Sequence, residues 1–452
     1  MAYTEFFVTH GSAVSDTNGG GPRLGTNDGP VYATAGATVD AGDPNVIHDN
    51  SGSSWSGCQA DDWVCWDTAG AKEFRRIVSI SGTDATVSAS CTPGANKAVN
   101  VGGAWATIDF AAGLITTSHV NAAGNPPRVN VKAGSAYTES SVTITHSGTA
   151  AIPLTWEGYT TSAGDGGVFQ QTSTSNSTYA FRMADWCVLK DAYITSSGTS
   201  CRAVSVDNYG SYYCCINVSA KATGSNSHAF IAGNDAYNTL FVNCYVEQAT
   251  LDGFGANRTG LYCIDCRVKS VGRYGFYPGY SLPVLVNCIV DSSANDCVYI
   301  GGNVGAVIVG CTFYHSTGGS GIRHVDPGSF PAHVRNCIFS QNNQYGIELD
   351  SAADHHEDYN AFYANGVAAR KNVVQTGPHD VTLTADPFVN AAGGNYALNT
   401  AVGGGAACRA AGFPGAMLDA VNIGYLDIGA LQHADPAAGA GGVSKSRIIG
   451  GV

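Results

Sequence analysis

Short apolar stretches such as Leu240-Phe241-Val242, Val284-Leu285-Val286 and Val307-Ile308-Val309 recur along most of this chain, and elsewhere apolar and polar residues alternate, as in Ala85-Thr86-Val87-Ser88. Alternation with a period of two predicts strands, and the Gly, Asn, Asp and Ser that bound each stretch predict turns. Many of the stretches run into a cysteine. Cys187, Cys215, Cys244, Cys266, Cys288, Cys311 and Cys337 each head a similar segment, at intervals of 22 to 29 residues. A second echo begins eight or nine residues after the cysteine: Asp252-Gly253-Phe254, Tyr274-Gly275-Phe276, Asp296-Cys297-Val298, Ser320-Gly321-Ile322 and Tyr345-Gly346-Ile347. Two motifs locked in phase define a repeat. A unit this short, with period-two segments and no helical stripe, predicts one turn of a parallel β-solenoid, whose coils stack at the inter-strand spacing of about 4.8 Å. Equivalent positions then lie above one another, so the seven cysteines are expected as a buried structural ladder, with the asparagine amides beside some of them stacking along the turn.

Outside the repeat the pattern changes. Residues 1–103 read as a small β-rich module suited to anchoring or assembly, and residues 104–118 contain a short amphipathic helix that would cap the open first coil. The solenoid with its cap is expected over 104–384, a closing segment over 385–434, and a Gly- and Ala-rich tail over 435–452. The fold class expected is therefore all-β: a parallel β-helix with an N-terminal module and a capping helix.

Composition narrows the function classes. Only 13% of residues are charged, there are 58 glycines, and 22 basic against 35 acidic residues give a net charge of −13. An acidic surface argues against a nucleic-acid partner. No apolar run is long enough to span a membrane as a helix. The opening residues, Met1 to Phe7, lack the basic-then-apolar pattern of an export signal, so the expected compartment of assembly is a cytoplasm, where the fifteen cysteines would stay as thiols.

The paired cysteine and glycine echoes, together with the ending Asp386-Pro387-Phe388-Val389, Asn395-Tyr396-Ala397-Leu398 and Asp427-Ile428-Gly429-Ala430-Leu431-Gln432, resemble right-handed parallel β-helix proteins of the pectate-lyase-like superfamily. The opening residues are similar to N-terminal regions of β-helix proteins encoded by tailed phages. That resemblance implies a tail spike, fibre or surface appendage of a virion, usually a homotrimer, contacting other virion proteins through its N-terminal module and a surface glycan through the solenoid. Two alternatives stay open: a polysaccharide lyase or glycoside hydrolase, and an adhesin or filament subunit at a bacterial surface or outside the cell. The hydrolases of the superfamily carry NTD, DD, GHG and RIK elements, none of which occurs in order here, so the resemblance transfers no catalytic residue. No cofactor or metal is expected, and no acidic cluster supports calcium.

The residues themselves supply candidates. Asp252 and Asp296 sit at equivalent places two coils apart, about 9.6 Å by the sheet spacing, and Glu348 follows three residues after Tyr345. That separation suits a pair of acids that leaves room for a water; the alternative places them at solvated turns, where Asp is favoured. Tyr274, Tyr277 and Tyr299 are candidates to stack on sugar rings. His324 and Asp326 share one face of a strand, taken as the outer one, which makes His324 a further candidate. His355-His356-Glu357-Asp358 reads as a turn.

Overall fold

The computed structural model describes residues 2–433 except 11–12, 69–70, 177, 207–211, 234–237, 257–259, 281, 303, 328–329, 354 and 414–425. The Gly- and Ala-rich tail expected over 435–452 lies outside the described residues. The chain divides into two units, Met1–Leu240 and Phe241–Val452.

In the first unit, Tyr32–Asp40, Asp43–Asp49, Trp63–Thr68, Ala71–Ser81, Asp84–Val87 and Gly94–Val101 close an antiparallel barrel. Val39, Ile47, Val64, Trp66, Ile77 and Val99 fill it. Solenoid strands follow. Pro127–Lys132, Leu154–Tyr159, Cys187–Ser196 and Tyr213–Ala222 run parallel in one sheet, while Val142–Thr143, Tyr179–Met183, Arg202–Val206 and His228–Ala232 form a second. The expected helix is present as Ile108–Leu114, capped by the Thr107 hydroxyl, and Ala112 accepts a hydrogen bond from Thr145 beside the edge strand Val142–Thr143. It covers the edge that would otherwise be unpaired. One element falls elsewhere than expected. Thr4–Val8, assigned by sequence to the N-terminal module, pairs residue for residue with Pro127–Val131, so the first solenoid strand precedes the barrel.

In the second unit each coil carries three short strands, for example Pro283–Val286, Ile289–Val290 and Val298–Ile300, stacked in parallel register on the coils before and after. The residue between the first two strands of a coil takes a left-handed backbone: Asn243, Asp265, Asn287, Gly310 and Asn336, with φ between 50° and 63°. Asn, Asp and Gly are the residues that tolerate that conformation. The following residue, Cys244, Cys266, Cys288, Cys311 or Cys337, turns inward and is buried. Their thiols follow one another: the Cys311 sulfur accepts from the Cys288 amide at 3.4 Å, and the Cys266 and Cys288 thiols donate to carbonyls of the preceding coil, Phe241 and Cys263, at 3.4 Å each.

The ladder expected from sequence needs two corrections. In the first unit Cys187 aligns with Tyr213, and Leu189 aligns with Cys215. The left-handed residues there are Asp191 and Asn217, so the ladder position is held by Ala192 and Val218. The amides next to the ladder cysteines serve the backbone bend; the stacked amides lie elsewhere, inside the coil. Asn342 accepts from the Ser316 amide at 3.1 Å and donates to the Phe313 carbonyl at 3.2 Å and to Asn365 at 2.9 Å, while Asn360 bonds the Cys337 amide and the Val334 carbonyl, both at 3.0 Å. Replacing Asn342 by alanine strands a buried amide and a buried carbonyl, so an expected loss of about 3 kcal/mol should appear as a lower urea midpoint; a loss below about 0.5 kcal/mol would mean that the coil rebuilds these bonds.

The closing segment does not continue the coil. Phe388, Tyr396, Leu398, Cys408 and Ile428 pack with Ile289, Tyr314, Ile338 and Ala361 on the outside of the sheet. Gly429 donates to the Asn336 carbonyl at 2.7 Å and comes so close to Ile338 that a side chain there would reach its Cδ1 at 2.6 Å. The cysteines are thiols rather than disulfides, as expected.

Candidate functional site

The second echo of the repeat builds the site, and it lies wholly in the second unit. Phe254, Phe276, Val298, Ile322 and Ile347 align in successive coils and point into the core. The residue before each is small because the coil corner is tight: a Cβ on Gly253, Gly275, Gly321 or Gly346 would meet a backbone carbonyl at 2.6–2.7 Å. This corner sets Asp252, Tyr274, Asp296, Ser320 and Tyr345 in one file. The next outward file is Tyr277, Tyr299, Arg323, Glu348 and Lys371.

Three tyrosines occupy the middle of this face. Tyr274 and Tyr299 stack with ring centres 4.6 Å apart, Tyr274 and Tyr277 at 5.5 Å, and Tyr277 lies 5.8 Å from Tyr299. All three are half-buried. Burial raises the phenols of Tyr274 and Tyr277, which keeps them neutral and able to donate. Arg273 lies 5.2 Å from the centres of Tyr274 and Tyr277 and is clamped from below by the fully buried Asp252, with Nε to Oδ1 at 2.7 Å and a second bond through its other nitrogen. Asp252 thus holds an arginine against the rings.

The second acid is in a different setting. Asp296 is 4% exposed, and its Oδ1 accepts from the Ser320 amide at 2.7 Å. Burial pushes its carboxyl up to about 6. The hydroxyl of the same Ser320 donates to Glu348 at 2.6 Å, and the Lys371 ammonium lies 2.8 Å from the other oxygen of Glu348. Arg323 is forked onto Asp350 at 3.1 and 3.2 Å. Two carboxyls therefore flank one serine, one of them bonded to a cation and the other to a backbone amide.

The structure brings Asp252, Asp296, Glu348, Tyr274, Tyr277 and Tyr299 onto one face, and places His324 elsewhere. The solvated-turn alternative for the aspartates does not hold, because both are buried among the coils. His324 is fully buried on the inward face, with Nδ1 3.1 Å from Nε2 of His355 and Nε2 3.3 Å from the Gly302 carbonyl. The choice of face was reversed because Ile322, two residues earlier, points to the core. Residues 356–358 form a strand rather than a turn: Glu357 is buried and bonded to Arg370. Sequence reasoning missed Arg273, Ser320 and Lys371. The first stands one residue before Tyr274 and was legible as part of the echo. Lys371 was not, because the glycine echo fades in the last coil. Among the described residues no group of three or more His, Cys, Asp or Glu converges to hold a metal ion.

One family match agrees with the fold. The family described as "Right handed beta helix region" matches residues 227–379. Among solved structures, the pectate lyase Pel9A is similar at 13% identity over 73% of this chain and 92% of that chain, with a TM-score of 0.44. The catalytic domain of a GH87 α-1,3-glucanase matches at 10% identity over 78% and 89%, with a TM-score of 0.28. The gp54 tailspike of Acinetobacter baumannii bacteriophage AP22 matches at 11% identity over 79% and 65%, with a TM-score of 0.20. No curated protein sequence matches.

Proposed function

We propose that this chain is a glycan-binding β-helix protein and that the tyrosine face of its second unit is the binding surface. The observation that carries the reading is the packed trio Tyr274, Tyr277 and Tyr299, half-exposed and braced by the Asp252–Arg273 pair. Aromatic faces stack on the apolar faces of sugar rings, while phenols, a guanidinium and carboxyls supply hydrogen bonds to hydroxyls. Rings already fixed against one another lose little freedom on binding. In an immobilised panel of polysaccharides, Tyr299→Ala is expected to weaken binding at least tenfold, about 1.4 kcal/mol. Unchanged binding in Tyr299→Ala and Tyr277→Ala together would remove the reading.

The setting we propose is a virion appendage of a tailed phage, assembled in the host cytoplasm as a homotrimer and anchored through the barrel module. Buried ladder thiols such as Cys266, Cys288 and Cys311 suit folding in a reducing compartment. An antibody against the barrel should decorate phage tails in electron micrographs; labelling of bacterial surfaces in uninfected cells would instead favour an adhesin.

A further inference from the structure

We propose that Asp296 and Glu348, held on either side of Ser320, form an acid and base pair that hydrolyses a glycosidic bond of the polysaccharide bound on the tyrosine face; this rests on the glycan-binding reading above. Among the described residues, the four buried acids in the coils of the second unit show why these two stand apart. Asp252 is clamped by Arg273, and Glu357 is bonded to Arg370, so each has a cation to hold. Among the described residues no cation bonds Asp296, although it is as deeply buried as the others. Glu348 lies one serine away, with the Lys371 ammonium and the Ser320 hydroxyl both directed at it.

Such an asymmetry divides the labour between two carboxyls. The Asp296 carboxyl, raised to about 6 by burial, keeps its proton over part of the population near neutral pH and can donate it. Glu348, with the Lys371 ammonium on one oxygen and the Ser320 hydroxyl on the other, is placed to accept one. As the bond between the anomeric carbon and the glycosidic oxygen breaks, Asp296 protonates that oxygen, which leaves as a hydroxyl. A water oxygen bonds to the anomeric carbon while its proton passes to Glu348. One water is consumed, two hydroxyls form, and the proton gained by Glu348 restores the one lost by Asp296 through solvent. No redox partner is required.

The site is next to the binding face. Tyr299 and Arg323 occupy the same outward file as Glu348 in the preceding coils, and Tyr274 lies within reach of the charge on Asp296. Arg323 and Lys371, 38% and 39% exposed, flank Glu348 in the same outward file.

The test uses the full chain and a panel of α-1,3-glucan, polygalacturonate and purified Acinetobacter capsular polysaccharide, measuring binding and released reducing ends separately. Turnover is expected on a polysaccharide that binds. Asp296→Asn and Glu348→Gln should each lower it at least 100-fold with binding kept within threefold and an unchanged near-ultraviolet circular dichroism spectrum, whereas Tyr299→Ala loses both together. Asp296→Glu, which keeps an acid in place, should retain more turnover than Asp296→Asn and guards against a folding artefact. Binding without reducing ends, turnover surviving either substitution, or products carrying the double bond of an elimination would overturn the hydrolytic pair and leave the binding reading standing. Failure to bind every polysaccharide would overturn both.

Discussion

Replacing Arg370 by methionine is expected to cost about 3–5 kcal/mol at pH 8, the usual penalty for stranding buried charge. Arg370 bonds Glu357 through Nε and Asp380 through a terminal nitrogen, and its guanidinium lies 4.1 Å over the ring of Phe362. Burial already drives the Glu357 carboxyl up to about 7 and raises that of Asp380, and the shared guanidinium is the cation that opposes both rises, helped at Asp380 by the Asn360 and Gly377 amides. The pH dependence follows from the direction of these shifts. A carboxyl whose folded value lies above its unfolded one contributes stability at low pH and loses it as pH rises through the folded value. Without the arginine both carboxyls would rise further, so the variant should lose most at pH 8 and recover most of the deficit at pH 5. Urea midpoints at the two pH values check this; an equal deficit at both would mean that the carboxylates rearrange to reach solvent.

Phe276→Ala is expected to lose about 3–5 kcal/mol, the cost of a cavity at a site that cannot collapse. Phe276 is fully buried, stacked on Phe254 at 5.2 Å with ring planes 9° apart, and Phe254 meets Phe241 edge-on at 5.2 Å. Rigid coils above and below prevent the gap from closing. Phe276→Leu should recover more than half of the loss, because it refills most of the volume. Chemical denaturation measures both, and a loss below about 1.5 kcal/mol for alanine would show that the column slides to fill the space. Tyr277 follows Phe276 directly, so a softened column should also loosen the binding face.

Much of this architecture was legible before any coordinates, and the misreadings have physical causes. The dipeptides Asn243-Cys244, Asn287-Cys288 and Asn336-Cys337 carry two signals at once, a residue that accepts a left-handed bend and a small residue that fits the core. Cys187 and Cys215 misled because the pocket requires small apolar bulk rather than sulfur, and Ala192 and Val218 fill it as well. The bend is the better marker of phase. The acids could be placed on one file by the glycine echo, but not their depth, which depends on partners such as Arg273 and Lys371 in neighbouring coils. His324 was turned the wrong way because a three-residue strand, Ile322–His324, gives too little alternation to say which face is the core. Strand Thr4–Val8 was lost to the module because its partner begins at Pro127, far beyond any local pattern.

That last pairing makes the barrel a guest. Tyr32–Val101 is spliced into the connection between two adjacent strands of one sheet, leaving and re-entering the host through a narrow gate. Trp63 of the barrel packs on Phe6 and His119 of the host, so a different passenger grafted in its place would have to bring an apolar face to that seam.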